Sequence, residues 1–234
     1  MRPIVSCRTM SAGDRELHVY AIAGAGLPPR VRVRGHSLRT LPIGQAHVVV
    51  EAHRGRIEPT PESLQEQHAI VVNLAERAGS LLPARFGSVL TDAALHAIVL
   101  DHQPEILDAL ALVDGRRQMT VRVFGPPDSS VPEIDRASTG TAFLESRRAR
   151  VHHVPAEVET IRLALGPRAV RERVDVGQAG GLRVTVFHLV DREKIHTYRE
   201  QAASLQTLLE STQERVRVTV TGPWPAFAFA PELF

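Results

Sequence analysis

The residues able to do chemistry in this 234-residue chain are eleven histidines, one cysteine and a large set of arginines. Each kind of active site needs such residues at particular spacings. No Gly-x-x-x-x-Gly-Lys-Ser/Thr loop is present to cradle a phosphate, and the one lysine, Lys194, sits at the opening of a helix. Gly24-Ala25-Gly26 runs into Leu27-Pro28-Pro29 rather than into a helix, so no helix N-terminus is set up there to hold a dinucleotide. A Gly-x-Ser-x-Gly nucleophile elbow and a His-Glu-x-x-His zinc pair are both missing. Cys7 stands alone in a loose N-terminal stretch, cannot form an internal disulfide and excludes any cysteine-based metal motif.

The histidines do not converge in sequence. His152 and His153 are adjacent and would point about 100° apart on a helix, a poor geometry for one metal ion. His96 and His102 are six residues apart and face different sides of their helix, while His68 falls on an apolar stripe and reads as a hydrogen-bonded core histidine. Arg147, Arg148 and Arg150 precede the His pair and form either a solvated helix face or an anion or RNA site. Two segments stand out instead. Leu82-Pro83-Ala84-Arg85-Phe86-Gly87-Ser88 sets Arg85 among apolar neighbours in a turn bounded by Pro and Gly. Its guanidinium fork can tie the loop to the domain through several carbonyls or a carboxylate, or serve a partner. Gly222-Pro223-Trp224-Pro225-Ala226-Phe227-Ala228-Phe229 gathers the one Trp and two of the seven Phe. Its prolines pre-order it either to pack back on the protein or to present aromatic anchors. The expectation is Trp224 packed within the protein, with Phe227 and Phe229 more exposed.

The elements that must position these groups follow from patterning. Hydrophobic residues make up 43% and charged residues 23%, the balance of a globular protein with a core, which excludes general disorder, collagen and a disulfide scaffold. No apolar stretch approaches the ~20 residues of a membrane span and no signal-peptide pattern opens the chain, so a cytoplasmic protein is expected. The net charge is only +2, and aromatics at 4% are too few for a base-stacking platform. All basic residues but Lys194 are Arg, a bias that a GC-rich genome also produces.

Strands are predicted over 17–23, 31–33, 46–52, 119–123, 169–176, 182–190 and 216–220, with 27–45 otherwise mostly loop. Thr60-Pro61-Glu62 starts a helix whose stripe is Leu64, His68, Val71, Val72 and Ala75. A second helix starts at Thr91-Asp92 and is broken or kinked at Pro104. A third starts at Ser138, with Val151, Val154, Val158, Ile161 and Leu165 on one face and an interruption at Pro155; a last one carries Ile195, Tyr198, Ala202, Leu205 and Leu209. Gly222-Pro223 is predicted to end the final strand. The Pro/Gly/Ser-rich break at 125–137 is the expected boundary between two α+β domains: a loose lead-in (1–16), an N-terminal domain (17–125) and a C-terminal domain (138–234).

Four segments in order resemble the GvpF/GvpL family of gas vesicle proteins. They are His68-Ala69-Ile70-Val71-Val72, the Leu82–Ser88 turn, Gly140-Thr141-Ala142-Phe143-Leu144-Glu145-Ser146-Arg147, and the Gly222–Phe229 segment. The chain departs from the pattern where Phe143 and Phe227 replace Tyr, Ala226 replaces Pro, and Gln118-Met119 stand where a Trp is usual. The resemblance implies two α+β domains, the C-terminal one a modified ferredoxin-like fold. It implies an accessory or minor structural role in gas vesicles, in the cytoplasm, contacting the shell protein and other accessory proteins and helping assembly begin. It brings no catalytic residues, cofactor, metal, nucleic acid or membrane. Arg85, Phe86, Trp224, Phe227 and Phe229 are then the candidate partner-binding residues. The alternatives are an α+β ligand binder or enzyme using Arg85 and a histidine, or an RNA-associated module reading phosphates through Arg147–Arg150.

Overall fold

The computed structural model describes residues 16–126, 155–177, 181–212 and 215–233. The lead-in, Cys7, the helix predicted from Ser138 as far as Val154, and the Arg147–His153 cluster lie outside them. Most of the boundary at 125–137 also lies outside.

Strands β1 (Glu16–Ala23), β2 (Arg30–Val33), β3 (His36–Ile43) and β4 (Ala46–His53) open the chain. The region 27–45, expected as mostly loop, is two antiparallel hairpins. Arg34 and Gly35 both take positive φ, as a two-residue hairpin turn requires, and Gly44 turns the second hairpin. Pro42 masks β3 in sequence. It is tolerated because it lies past the end of the β2 ladder, which stops at Arg30↔Arg39. Helix α1 (Pro61–Arg77) follows, and Thr60 caps it through a capping box with Ser63. Then come β5 (Leu81–Pro83), β6 (Val89–Thr91), α2 (Asp92–Asp101), capped by Thr91, and α3 (Gln103–Val113), with Pro104 in its first turn.

The sheet order is β2-β3-β4-β1, with β5 and β6 both pairing antiparallel to β1. Along β4, Val49 belongs to the core against α1, while Val48 and Val50, fully buried, alternate to the other face. Helices α2 and α3 contribute buried Leu95, Val99, Ile106, Leu110 and Val113. The buried face of α1 is Gln67, Ile70, Val71, Leu74 and Ala75. The predicted stripe is thus rotated by about one residue, leaving Leu64 and His68 exposed. Several small and apolar residues flank the true stripe, so the 3.6-residue period admits both phases.

The second sheet comprises β7 (Arg116–Phe124), β8 (Ala169–Val176), β9 (Leu182–Asp191) and β10 (Arg217–Trp224), in the order β10-β7-β9-β8 with every neighbour antiparallel. Helices α4 (Ala156–Leu165) and α5 (Ile195–Thr212) pack on one face of it. Val121, Val123, Val184, Val186, Val190 and Val218 meet Val158, Ile161, Leu165, Tyr198, Ala202, Leu205 and Leu209 there. Strand β7, expected in the domain 17–125, pairs with β9 and β10 instead. Its alternation identifies a strand but carries no information about partners as distant in sequence as Leu182–Asp191 and Arg217–Trp224.

Pairing does not end at Gly222-Pro223 either. It breaks after Thr221 and resumes at Trp224, opposite Gln118. The Gly222-Pro223 bond is cis, and Gly222 has φ +119. A Cβ on Gly222 would meet the Gln118 carbonyl oxygen at 2.7 Å, so a close approach to β7 requires glycine. By contact the chain forms two compact units, Met1–Gly115 with Pro225–Phe234, and Arg116–Trp224.

Candidate functional site

The Leu82–Ser88 segment runs from the last two residues of β5 across the gap to β6, and both strands run beside β1. Its feet are tied to β1: the Ala84 amide donates to the Tyr20 carbonyl (3.0 Å), and the Val19 amide donates to the Ser88 carbonyl (2.8 Å). Between them the chain arches over Arg85, Phe86 and Gly87, and Gly87 takes φ +75. Three donors converge on the Arg85 carbonyl. They are Ser88 Oγ (2.8 Å), the Ser88 amide (3.3 Å) and Gln67 Nε2 from α1 (3.4 Å). The guanidinium itself is exposed and makes no hydrogen bond or ion pair among the described residues. The backbone of Arg85, not its fork, therefore ties the loop. Phe86 is half-buried.

Behind the loop lies a polar cluster over β1, β3 and β4. His18 Nε2 donates to Gln67 Oε1 (3.1 Å), and its ring lies 4.2 Å from that of Tyr20. Burial is the main influence on His18, and it pushes the imidazole down to about 4. Tyr20 donates to Glu51 Oε2 (3.1 Å), which His36 Nδ1 also approaches at 2.8 Å. Burial, with Glu51 beside it, pushes the Tyr20 hydroxyl well up. For Glu51, burial raises the carboxyl, but the bonds from His36 and Tyr20 prevail and hold it below the ordinary carboxylate range. Arg34 and His36 both reach Glu66 on α1, at 3.4 and 3.6 Å.

A second polar chain crosses the core of the other unit. Tyr198 donates to His188 Nδ1 (2.7 Å), and His188 Nε2 donates to Glu172 Oε2 (3.2 Å). Glu172 Oε1 accepts from Arg162 Nε at 2.8 Å, carrying the chain outward from a fully buried pair. Burial pushes His188 down, against Glu172, and pushes Tyr198 up. Sequence spacing hides both clusters because their members come from different strands and helices. The available signal is a histidine interrupting an apolar strand, as His18 does in β1 and His188 in β9.

The remaining expected residues are dispersed. His96 and His102 each bond a carbonyl four residues back, Asp92 and Ile98, and serve their own helices. His68 is exposed rather than in the core, and its ring stacks on Phe227 with centroids 5.5 Å apart. Phe227 is 39% exposed and Phe229 half-buried, in a short turn that contacts β5. Trp224, half-buried in the other unit, donates its indole N–H to Thr221 Oγ1 at 3.3 Å. Among the described residues, no group of three or more His, Cys, Asp or Glu could hold a metal ion, and no helix is long and apolar enough to cross a membrane.

The arrangement offers an exposed Arg on a pinned loop and an aromatic pair near β5, with buried histidines as scaffold. In structure the chain is similar to the gas vesicle protein GvpF from Anabaena sp. PCC7120, with a TM-score of 0.70 at 14% identity over 93% of this chain and 97% of that one. It is similar also to GvpF from Microcystis aeruginosa, with a TM-score of 0.70 at 12% identity over 92% and 99%. No curated protein sequence matches. Residues 16–231 match the family described as gas vesicle synthesis protein GvpL/GvpF. The chain belongs to the gas vesicle synthesis protein GvpL/GvpF family.

Proposed function

We propose that this protein is a non-enzymatic accessory or minor structural protein of gas vesicles, which helps nucleate or assemble the shell by contacting the shell protein. The family match over nearly the whole described chain carries this reading. It works without cofactor, nucleic acid or membrane, in the cytoplasm where the vesicle forms. Arg85 and Phe86 on the pinned loop, with Phe227 and Phe229 on the returning tail, form the partner contact in this reading. An exposed fork and aromatic rings are the side chains that anchor protein interfaces. In the other unit, Trp224 is a further candidate for contact with a partner.

The reading extends to domain organisation. Residues 116–224 are taken as a ferredoxin-like domain, supported by the element order β-α-β-β-α-β and the strand order β10-β7-β9-β8. The other domain is then the first unit, with the boundary at Gly115/Arg116. The test is capture of this chain by immobilised shell protein, together with deletion of its gene and electron microscopy for vesicles. Vesicles of normal number and shape after deletion, with no capture, refute the assignment.

A further inference from the structure

Gln67 occupies a helix face that is otherwise apolar, three and four residues before Ile70 and Val71, and is 7% exposed. An amide buried there is costly unless both ends are used. Both are: the oxygen accepts from His18 on β1, and the nitrogen donates to the carbonyl of Arg85. Gln67 thus joins α1, the sheet and the apex of the loop through one side chain. The same carbonyl takes two further bonds from Ser88, itself buried, whose carbonyl is fastened to β1. All this bonding converges on the backbone of a residue whose own side chain is left in solvent.

We infer that Gln67, together with Ser88, is a positioning residue that holds Arg85 and Phe86 in their partner-engaging conformation, and that the loop receives a carboxylate of the partner beside an apolar contact. This rests on the reading that the loop touches the shell protein. A guanidinium that pairs with no carboxylate among the described residues can donate bidentately to one from a partner, and a fixed backbone spares it the ordering cost on binding. Without the Gln67 donor the loop samples other conformations, and affinity falls although Arg85 is untouched.

The test is titration of immobilised shell protein with the full-length chain as wild type, Arg85→Ala, Gln67→Met, Ser88→Ala and the double variant Gln67→Met/Arg85→Ala. Gln67→Met is expected to weaken capture roughly tenfold, the size of coupling found between contacting residues, and Ser88→Ala by a similar factor. The double variant should lose clearly less than the two single losses combined, because Gln67 acts through the loop that carries Arg85, and only its effect on Phe86 survives the Arg85→Ala change. A merely structural residue would give additive losses instead. Arg85→Ala binding like wild type overturns both the contact and this inference. Loss on Arg85→Ala with Gln67→Met and Ser88→Ala at wild-type affinity, or with additive losses, overturns the positioning role alone. If Gln67→Met does not fold, Ser88→Ala, alone and combined with Arg85→Ala, decides by the same criteria.

Discussion

Acidification should unfold this protein earlier than its carboxylates alone dictate, and His18 should account for a measurable share. The imidazole sits in β1 under α1, pushed from 6.5 down to about 4 chiefly by burial. Between those values the unfolded chain binds a proton that the folded chain excludes. Stability therefore rises with pH across this window: the contribution is complete above 6.5 and is lost as pH falls toward 4. At ~1.36 kcal/mol per pH unit, the drop from pH 7 to 4.5 costs about 2 kcal/mol through this residue. For a chain of this length that is roughly 4–8 °C in melting temperature if the units melt together. The assay is urea unfolding by circular dichroism at both pH values, for wild type and His18→Gln. The variant keeps a donor for Gln67 but does not titrate. Any constant repacking loss cancels when only the pH difference is compared, as does the parallel effect of His188. Equal losses on acidification in the two proteins would refute the reasoning.

Tyr198→Phe should lower stability by ~1–3 kcal/mol, because His188 Nδ1 is left buried without its donor; a melting curve like wild type would contradict this. Arg85→Ala should melt within about 0.5 kcal/mol of wild type, since the exposed guanidinium bonds nothing among the described residues, yet lose capture by the shell protein; thermal denaturation beside a pull-down separates the two. Phe227→Ala should cost ~0.5–1.5 kcal/mol beyond its buried area through the lost stack on His68, and a Phe227→Ala/Phe229→Ala double variant should fold but assemble poorly. A double variant recovered only as aggregate would count against that division.

The strands and helices that alternate cleanly were legible: β1, β4, β8, β9 and α5 stand where periodicity puts them, and the Thr60 and Thr91 caps hold. The misreadings have a common cause. Pro42 hides β3 because propensity cannot know that the neighbouring strand has already ended. His68 falls on the apolar stripe read from sequence and Gln67 off it because a one-residue rotation of α1 exchanges them, and only the sheet beneath selects the phase. Likewise, β7 reads as a strand while its partners come from residues 182–191 and 217–224. The buried clusters around His18 and His188 are products of pairing, as in Glu172↔His188, and no local spacing announces them.

The division of the first unit between residues 1–115 and 225–234 also has a consequence during translation. The intervening stretch begins and ends on adjacent strands, with Trp224 opposite Gln118, so it can leave and rejoin at one place without opening the rest. A ribosome adding ~5–20 residues per second needs about 5–20 s to make those roughly 110 residues. Throughout that interval the nascent first unit lacks the segment that stacks Phe227 on His68 and lays a turn against β5. The part of the α1 and β5 surface under Phe227 and this turn is therefore bare until the segment has been made and has emerged to pack on it. A factor that recognises this surface would distinguish an unfinished copy from a finished one.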